Sequence, residues 1–192
     1  MVRLLKTGRF LLIVSLFMMV MLYGFSAAAL NTDADKNKHA EYKVKAAYLY
    51  NFAKFVEWPS EAFADPSLPL GICIIGEDPF GEALNSLKDK SVKGRKLAIS
   101  QYSESSELKD CHILFISPSE KNNLAGILEM IKDRHILTVS DMNKFTNRGG
   151  MINLKQVKSK LRLEINNEAA LHSGLKMSSK LLKIAKIVKG KN

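Results

Sequence analysis

The side chains able to do chemistry in this 192-residue chain are few and scattered. Cys73 and Cys111 are the only two thiols, and the four histidines, His39, His112, His135 and His172, stand far apart. None of the histidines forms a short metal-ligand spacing with another histidine or with a cysteine. Cys111 and His112 are adjacent, so in a strand they point to opposite faces and could not easily share a metal. Neither a metal site nor a cofactor is expected. Carboxylates pair as Glu77 with Asp78 and as Glu104 with Glu107, in polar surroundings where caps and solvated loops account for them. Gly76 closes an apolar run and leads into Glu77-Asp78-Pro79-Phe80. That strand, turn and helix order can cradle a phosphate, but the later glycines of the dinucleotide fingerprint are missing, and capping by Asp78 with Pro79 as first helical residue explains the segment. A nucleophile elbow, a zinc-protease helix and a P-loop are all absent from the sequence. The residues propose no reaction and point instead to a binding or interaction domain.

The frame that positions these residues starts at the N terminus. Arg3, Lys6 and Arg9 precede the uncharged run FLLIVSLFMMVMLYGF, and Ser26-Ala27-Ala28-Ala29 follows it. This is the order of a cleavable signal peptide over residues 1–29. An uncleaved anchor is the alternative, because the run is longer than a usual signal core yet shorter than the about 20 residues that span a bilayer. Under either reading the rest leaves the cytoplasm. Nucleic acid is then not an expected partner for a chain of net charge +10. A basic exported domain meets solvent, anionic headgroups or an acidic protein surface. Export also lets Cys73 and Cys111 pair, as a structural staple or as a redox switch.

Residues 30–40 are polar and read as a short disordered lead, with one α/β domain over 41–190. The stretch KAAYLYNFAKFVEWP carries an amphipathic helix, with Leu49, Phe52 and Val56 on one side and Lys43, Tyr50, Lys54 and Glu57 on the other. It should stop at Trp58, since the residue before Pro59 is pushed out of the helical region. Lys45 is anomalous: it lies on the apolar stripe, either snorkelling at the helix end or serving as a buried or partner-facing cation. Trp58 is a core residue or an interface anchor.

Leu70 to Ile75, Lys96 to Ile99, His112 to Ile116 and His135 to Val139 are short apolar runs, as expected of strands covered on both faces. Helices through Leu84 and Leu87, and through Leu124, Ile127, Leu128 and Ile131, lie between them. Gly149 to Leu154 and Leu161 to Ile165, separated by a turn-like segment from Lys155 to Lys160, read as a hairpin, and Asn167 to Lys189 as one long helix with small residues at Gly174 and Ser178. The expected fold is an α/β sandwich with a largely parallel sheet flanked by helices, a C-terminal hairpin and a long terminal helix.

KAAYLYNFAKFVEWP followed by IIGEDPF, CHILFIS, ILTVSD, GGMINL, LRLEIN and SSKLLKIA resembles, in order and spacing over about Glu41–Val188, the YfiR family of exported bacterial proteins. The resemblance implies a periplasmic regulator that catalyses nothing. It would bind and repress the periplasmic sensor region of an inner-membrane diguanylate cyclase, and its release would raise cyclic di-GMP and favour biofilm. A histidine kinase or an outer-membrane receptor is the implied partner for some relatives, and homodimers are implied too. Cys73 and Cys111 match family cysteines whose oxidation is tied to stability and activity. There is no cysteine near Gly149-Gly150-Met151, where some relatives carry a second pair, so a two-bridge mechanism does not carry over. A partner surface calls for apolar patches with aromatic or arginine anchors, and Lys45, Tyr50, Trp58 and Arg162 are the candidates. The rival functions are a periplasmic small-molecule binding protein and an exported enzyme.

Overall fold

The central strand runs are buried at every position because the sheet they form has a separate core on each face. A computed structural model of the chain describes residues 35–190 apart from Pro66 and Ser159. The expected signal peptide and residues 30–34 of the expected lead lie outside the described residues. The chain divides into two compact units, Met1–Glu41 and Tyr42–Asn192. The first is described only over residues 35–41, which are helical where a disordered lead was expected. The second contains the sheet. Helix α1 covers residues 35–55, and its residues from Tyr42 onward belong to the second unit. Among the described residues no helix is long and apolar enough to cross a membrane.

Among the described residues ten strands come after it in chain order: β1 Val56–Glu57, β2 Leu70–Ile75, β3 Ser91–Val92, β4 Arg95–Tyr102, β5 Ile113–Ile116, β6 Leu137–Ser140, β7 Ile152–Val157, β8 Lys160–Ile165, β9 Lys176–Met177 and β10 Lys186–Ile187. Eight form one sheet in the order β10-β8-β7-β6-β5-β2-β4-β3, and β1 pairs with β9 in a separate two-stranded sheet. Only the β3/β4 and β7/β8 ladders of the large sheet are antiparallel, so the expected α/β sandwich with a largely parallel sheet is what the chain adopts. Alternation along each strand divides its side chains between the two faces. Leu70, Ile72, Ile74, Ile113, Phe115, Leu137 and Val139 join Leu49, Phe52 and Val56 in the larger core. Cys73, Ile75, Leu114 and Ile116 join Leu124, Ile127 and Phe145 in the smaller. Helix α2, Leu124–Met130, covers that second face.

Four expectations about elements change. The opening helix ends at residue 55, three residues before Trp58, because Val56 and Glu57 pair with Met177 and Lys176 and the Phe55 carbonyl accepts from the Ser178 amide. The segment through Leu84 and Leu87 is a 3₁₀ helix, Gly81–Leu87. The hairpin is longer than expected, running to Val157 and resuming at Lys160, with Lys158 in the left-handed region at φ 54°. The long terminal helix does not form. Instead α3, Asn167–His172, is closed by Gly174 at φ 74°, with the Gly174 and Leu175 amides donating back to the Leu171 and Ala170 carbonyls. Strand β9 follows, and Ser178 then caps α4, Ser179–Lys183, by accepting from the Leu181 amide at 3.3 Å. Gly174 and Ser178 fit a small-residue helix stripe by spacing, but they act as helix stop and helix start.

A disulfide joins Cys73 in β2 to Cys111 just before β5, both buried. It bridges neighbouring parallel strands separated by 38 residues of sequence. A loop of that length corresponds to about 4 kcal/mol in the chain-entropy account of cross-links. Replacing both cysteines with serine should therefore lower the thermal midpoint by well over about 5 °C. An unchanged midpoint by circular dichroism would deny the bridge a stapling role.

Candidate functional site

The amphipathic pattern of α1 leaves one ammonium on the buried side, and the fold supplies its counter-charge from the end of β6. Lys45, only 2% exposed, forms an ion pair with Asp141, the residue after Ser140. The Tyr42 hydroxyl donates to the same carboxylate oxygen at 2.7 Å, and the Lys45 ammonium sits 4.1 Å from the Tyr42 ring centroid. Tyr42 in turn packs edge-on against Phe80, centroids 5.2 Å apart. The pair thus clips the start of the buried part of α1 to the carboxyl edge of the sheet. Held inside the protein, Lys45 offers no docking surface, which corrects its placement among partner-facing residues: the apolar stripe carries it inward and Asp141 makes burial tolerable.

Of the other candidates, Tyr50 and Trp58 both lie toward β3, beside Lys90 and Lys93, and Arg162 lies toward the far edge of the sheet. Tyr50 is half-buried on α1, with the ammonium groups of Lys54 and Lys90 at 5.4 and 4.8 Å from its ring centroid. Trp58 is half-buried beside the β3–β4 edge and lines a groove of about 290 Å³ with Phe63, Lys93 and Arg95. Arg162 is exposed on β8, near the opposite edge of the sheet. These residues do not form one site.

What the fold does assemble is a ring network around His112, where β5 begins. The backbone approaches closely here: a Cβ on Gly71 would lie 1.9 Å from the Asp110 carbonyl oxygen, so position 71 admits only glycine. His112 Nδ1 accepts from the Gly71 amide at 3.0 Å. Its Nε2 must then carry the proton and donate to the Ala62 carbonyl, 3.1 Å away. Phe63 stacks on the imidazole at a centroid distance of 4.2 Å, the Arg95 guanidinium lies 3.8 Å from the Phe63 ring, and Trp58 Nε1 donates to the His112 carbonyl at 3.3 Å. Beside this network is a cavity of about 610 Å³ at the amino edge of the strands, lined by Glu61, Asp133, Arg134 and His135 among others. At the opposite edge the turn after Gly76 uses its own groups: the Glu77 amide donates to Ser119 Oγ at 3.0 Å, which occupies the donor a phosphate would need. Among the described residues no three His, Cys, Asp or Glu side chains converge in a metal-binding group.

Sequence reasoning found Lys45 as an anomaly and missed Asp141. The signal available was a carboxylate directly after the buried run ILTVS, where a charge on a neighbouring helix needs an answer. The role of His112 was missed as well, because its partners are backbone groups with no sequence signature.

Both sets of contacts can be tested. Lys45→Met leaves the Asp141 carboxylate buried without its cation and should destabilise the protein by about 3–5 kcal/mol in urea unfolding. The double substitution Lys45→Met with Asp141→Leu should recover much of that loss, and no recovery would mean the charges are not coupled. For His112, burial foremost pushes the imidazole below its ordinary value of 6.5. Above that value both folded and unfolded chains hold it neutral, and its contribution to stability is fully present. As pH falls below about 6.5 the unfolded chain binds a proton that the folded chain resists, so stability is lost until the lower folded value is passed. His112→Asn, which keeps an acceptor for Gly71, should flatten that slope, whereas an identical slope in the variant would assign it to other groups.

No curated protein matches the chain. A family model does: the description YfiR/HmsC-like matches residues 42–186, which contain both cysteines, the Lys45–Asp141 pair and the His112 network. With both cores, the cross-link and all of the large sheet but Ile187 falling within that match, the chain belongs to the YfiR/HmsC-like family.

Proposed function

We propose that this protein is an exported regulator of the cell envelope that binds the periplasmic sensor region of an inner-membrane signalling protein and represses it. A diguanylate cyclase is the first candidate partner, with a histidine kinase as the second, and the output is control of cyclic di-GMP and of biofilm formation. The observation that carries this reading is the family match over residues 42–186, in a family that is regulatory rather than catalytic. The Cys73–Cys111 bridge supports it, since disulfides persist in oxidising compartments such as the periplasm. Repression then works by differential affinity: the regulator must bind the inactive form of the sensor more tightly than the active form. Tyr50, Trp58 and Arg162 are the proposed contact residues, with Arg162 toward the edge of the sheet opposite the other two, so a partner patch uses Tyr50 and Trp58 or Arg162 unless a homodimer brings them together.

The 610 Å³ cavity beside His112 favours one alternative, a periplasmic small-molecule binding protein. Cross-linking in intact cells followed by mass spectrometry separates the two. Recovery of an inner-membrane protein with a cyclase or kinase domain, together with raised cyclic di-GMP in a deletion strain, is the expected result. Recovery of no partner, combined with ligand-dependent rise of the melting temperature in a metabolite screen, would replace the regulator by the binding protein.

A further inference from the structure

The positive charge of this chain is concentrated in one stretch. Residues 155–189 hold nine Lys and Arg against Glu164 and Glu168, a net +7, whereas residues 30–154 hold sixteen against seventeen acids, a net −1. All nine cations are exposed. The stretch also carries four of the exposed large aliphatic side chains of the described residues: Val157 at 42%, Leu171 at 55%, Ile184 at 67% and Ile187 at 52%. Val157 and Ile184 line one open groove of about 450 Å³ together with Lys155, Arg162, Glu164 and Lys186. Its single carboxylate is already engaged, with Lys155 Nζ at 3.5 Å and Lys186 Nζ at 3.9 Å from Glu164 Oε1. The groove therefore presents cations in excess around aliphatic walls.

From this we infer that the β7–β8 hairpin together with α4 and β10 is a docking surface for an anionic phospholipid membrane. Charge complementarity requires an anionic occupant, and the residue types choose among anionic occupants. Six of the seven cations on these elements are lysines, point charges on flexible stems that suit a diffuse headgroup field better than bidentate capture of carboxylates. Protein interfaces are depleted in lysine and anchored by Trp, Tyr and Arg, and this surface holds one arginine and no aromatic residue. Aliphatic side chains flanked by lysines are what a shallow interfacial contact needs, with the apolar tips at the acyl boundary and the ammonium groups among the phosphates. The inference goes beyond the regulator reading and does not depend on it. Membrane contact would hold the protein in the plane where an inner-membrane sensor stands.

The test is cosedimentation of the protein, purified from cells expressing the full chain, with phosphatidylglycerol–phosphatidylcholine vesicles and with pure phosphatidylcholine vesicles. Binding is expected to the first and not the second, and to weaken as salt shortens the Debye length from about 10 Å at 0.1 M to about 3 Å at 1 M. Lys155→Glu/Arg162→Glu and, separately, Lys180→Glu/Lys183→Glu should each weaken binding at least tenfold, at roughly fivefold per cation. Ile184→Ser should weaken it without altering its salt dependence. The exposed Lys43→Glu/Lys54→Glu on α1 should change it far less, with melting temperatures confirming that every variant folds. Equal binding to both vesicle types, or no response to either hairpin or α4 variants, would overturn the inference. Retention on immobilised polyglutamate without vesicle binding would likewise overturn it and reassign the surface to an acidic protein.

Discussion

Two-sided burial of the parallel strands is the constraint on which the rest of this structure depends. A strand covered on both faces contributes apolar side chains to two cores, so Ile72 and Cys73, or Phe115 and Ile116, belong to different interiors though adjacent in sequence. At the strand ends backbone groups need partners that the apolar runs cannot supply. The amino edge answers with His112, which takes the Gly71 amide and gives to the Ala62 carbonyl. The carboxyl edge answers with Ser140, whose hydroxyl donates to the Ile116 carbonyl and accepts from the Met142 amide, and with Asp141. The chemistry of this protein is therefore that of closure at the two rims of a sheet.

The buried pair between Lys45 and Asp141 contributes definition more than net stability. Two charges withdrawn from water gain from each other roughly what they lose in hydration, so a well-packed apolar pair would hold the helix as well. What the ions add is intolerance of misplacement, since α1 shifted by a turn would leave both uncompensated. The clip fixes where α1 sits, and with it the positions of Tyr50 and Trp58 on the surface.

The parts of the fold legible in the sequence were those with a periodic or composition-based signal. Leu70–Ile75 and Ile113–Ile116 announced themselves as continuous apolar runs, Leu137–Ser140 by its β-branched residues, and the hairpin by its alternation. Lys45 was visible as a misfit, but Asp141 lies 96 residues away and nothing local ties the two together. The two-residue strands β1, β3, β9 and β10 have no period to detect. The C-terminal segment misled for a specific reason: glycine and serine at helical spacing suit both a closely packed helix face and a break with a cap, and only the pairing of Met177 with Val56 decides. For the candidate site, the disulfide was legible from compartment logic, while the His112 network rests on carbonyl and amide partners that every residue type supplies.

That late stitching bears on how the molecule comes into being. Strand β9 completes the small sheet begun by Val56, and β10 completes the edge of the large one beside β8. Both closures therefore wait for the last part of the chain to be synthesised, and a nascent polypeptide lacking residues beyond about Gly174 has two open sheet margins and no lid on the core that Leu175 and Leu181 fill. A pairing as distant along the chain as Val56 with Met177 forms slowly, because loop entropy must be overcome before contact energy is gained. The last residues of the chain are therefore the ones whose loss would open both sheets at once.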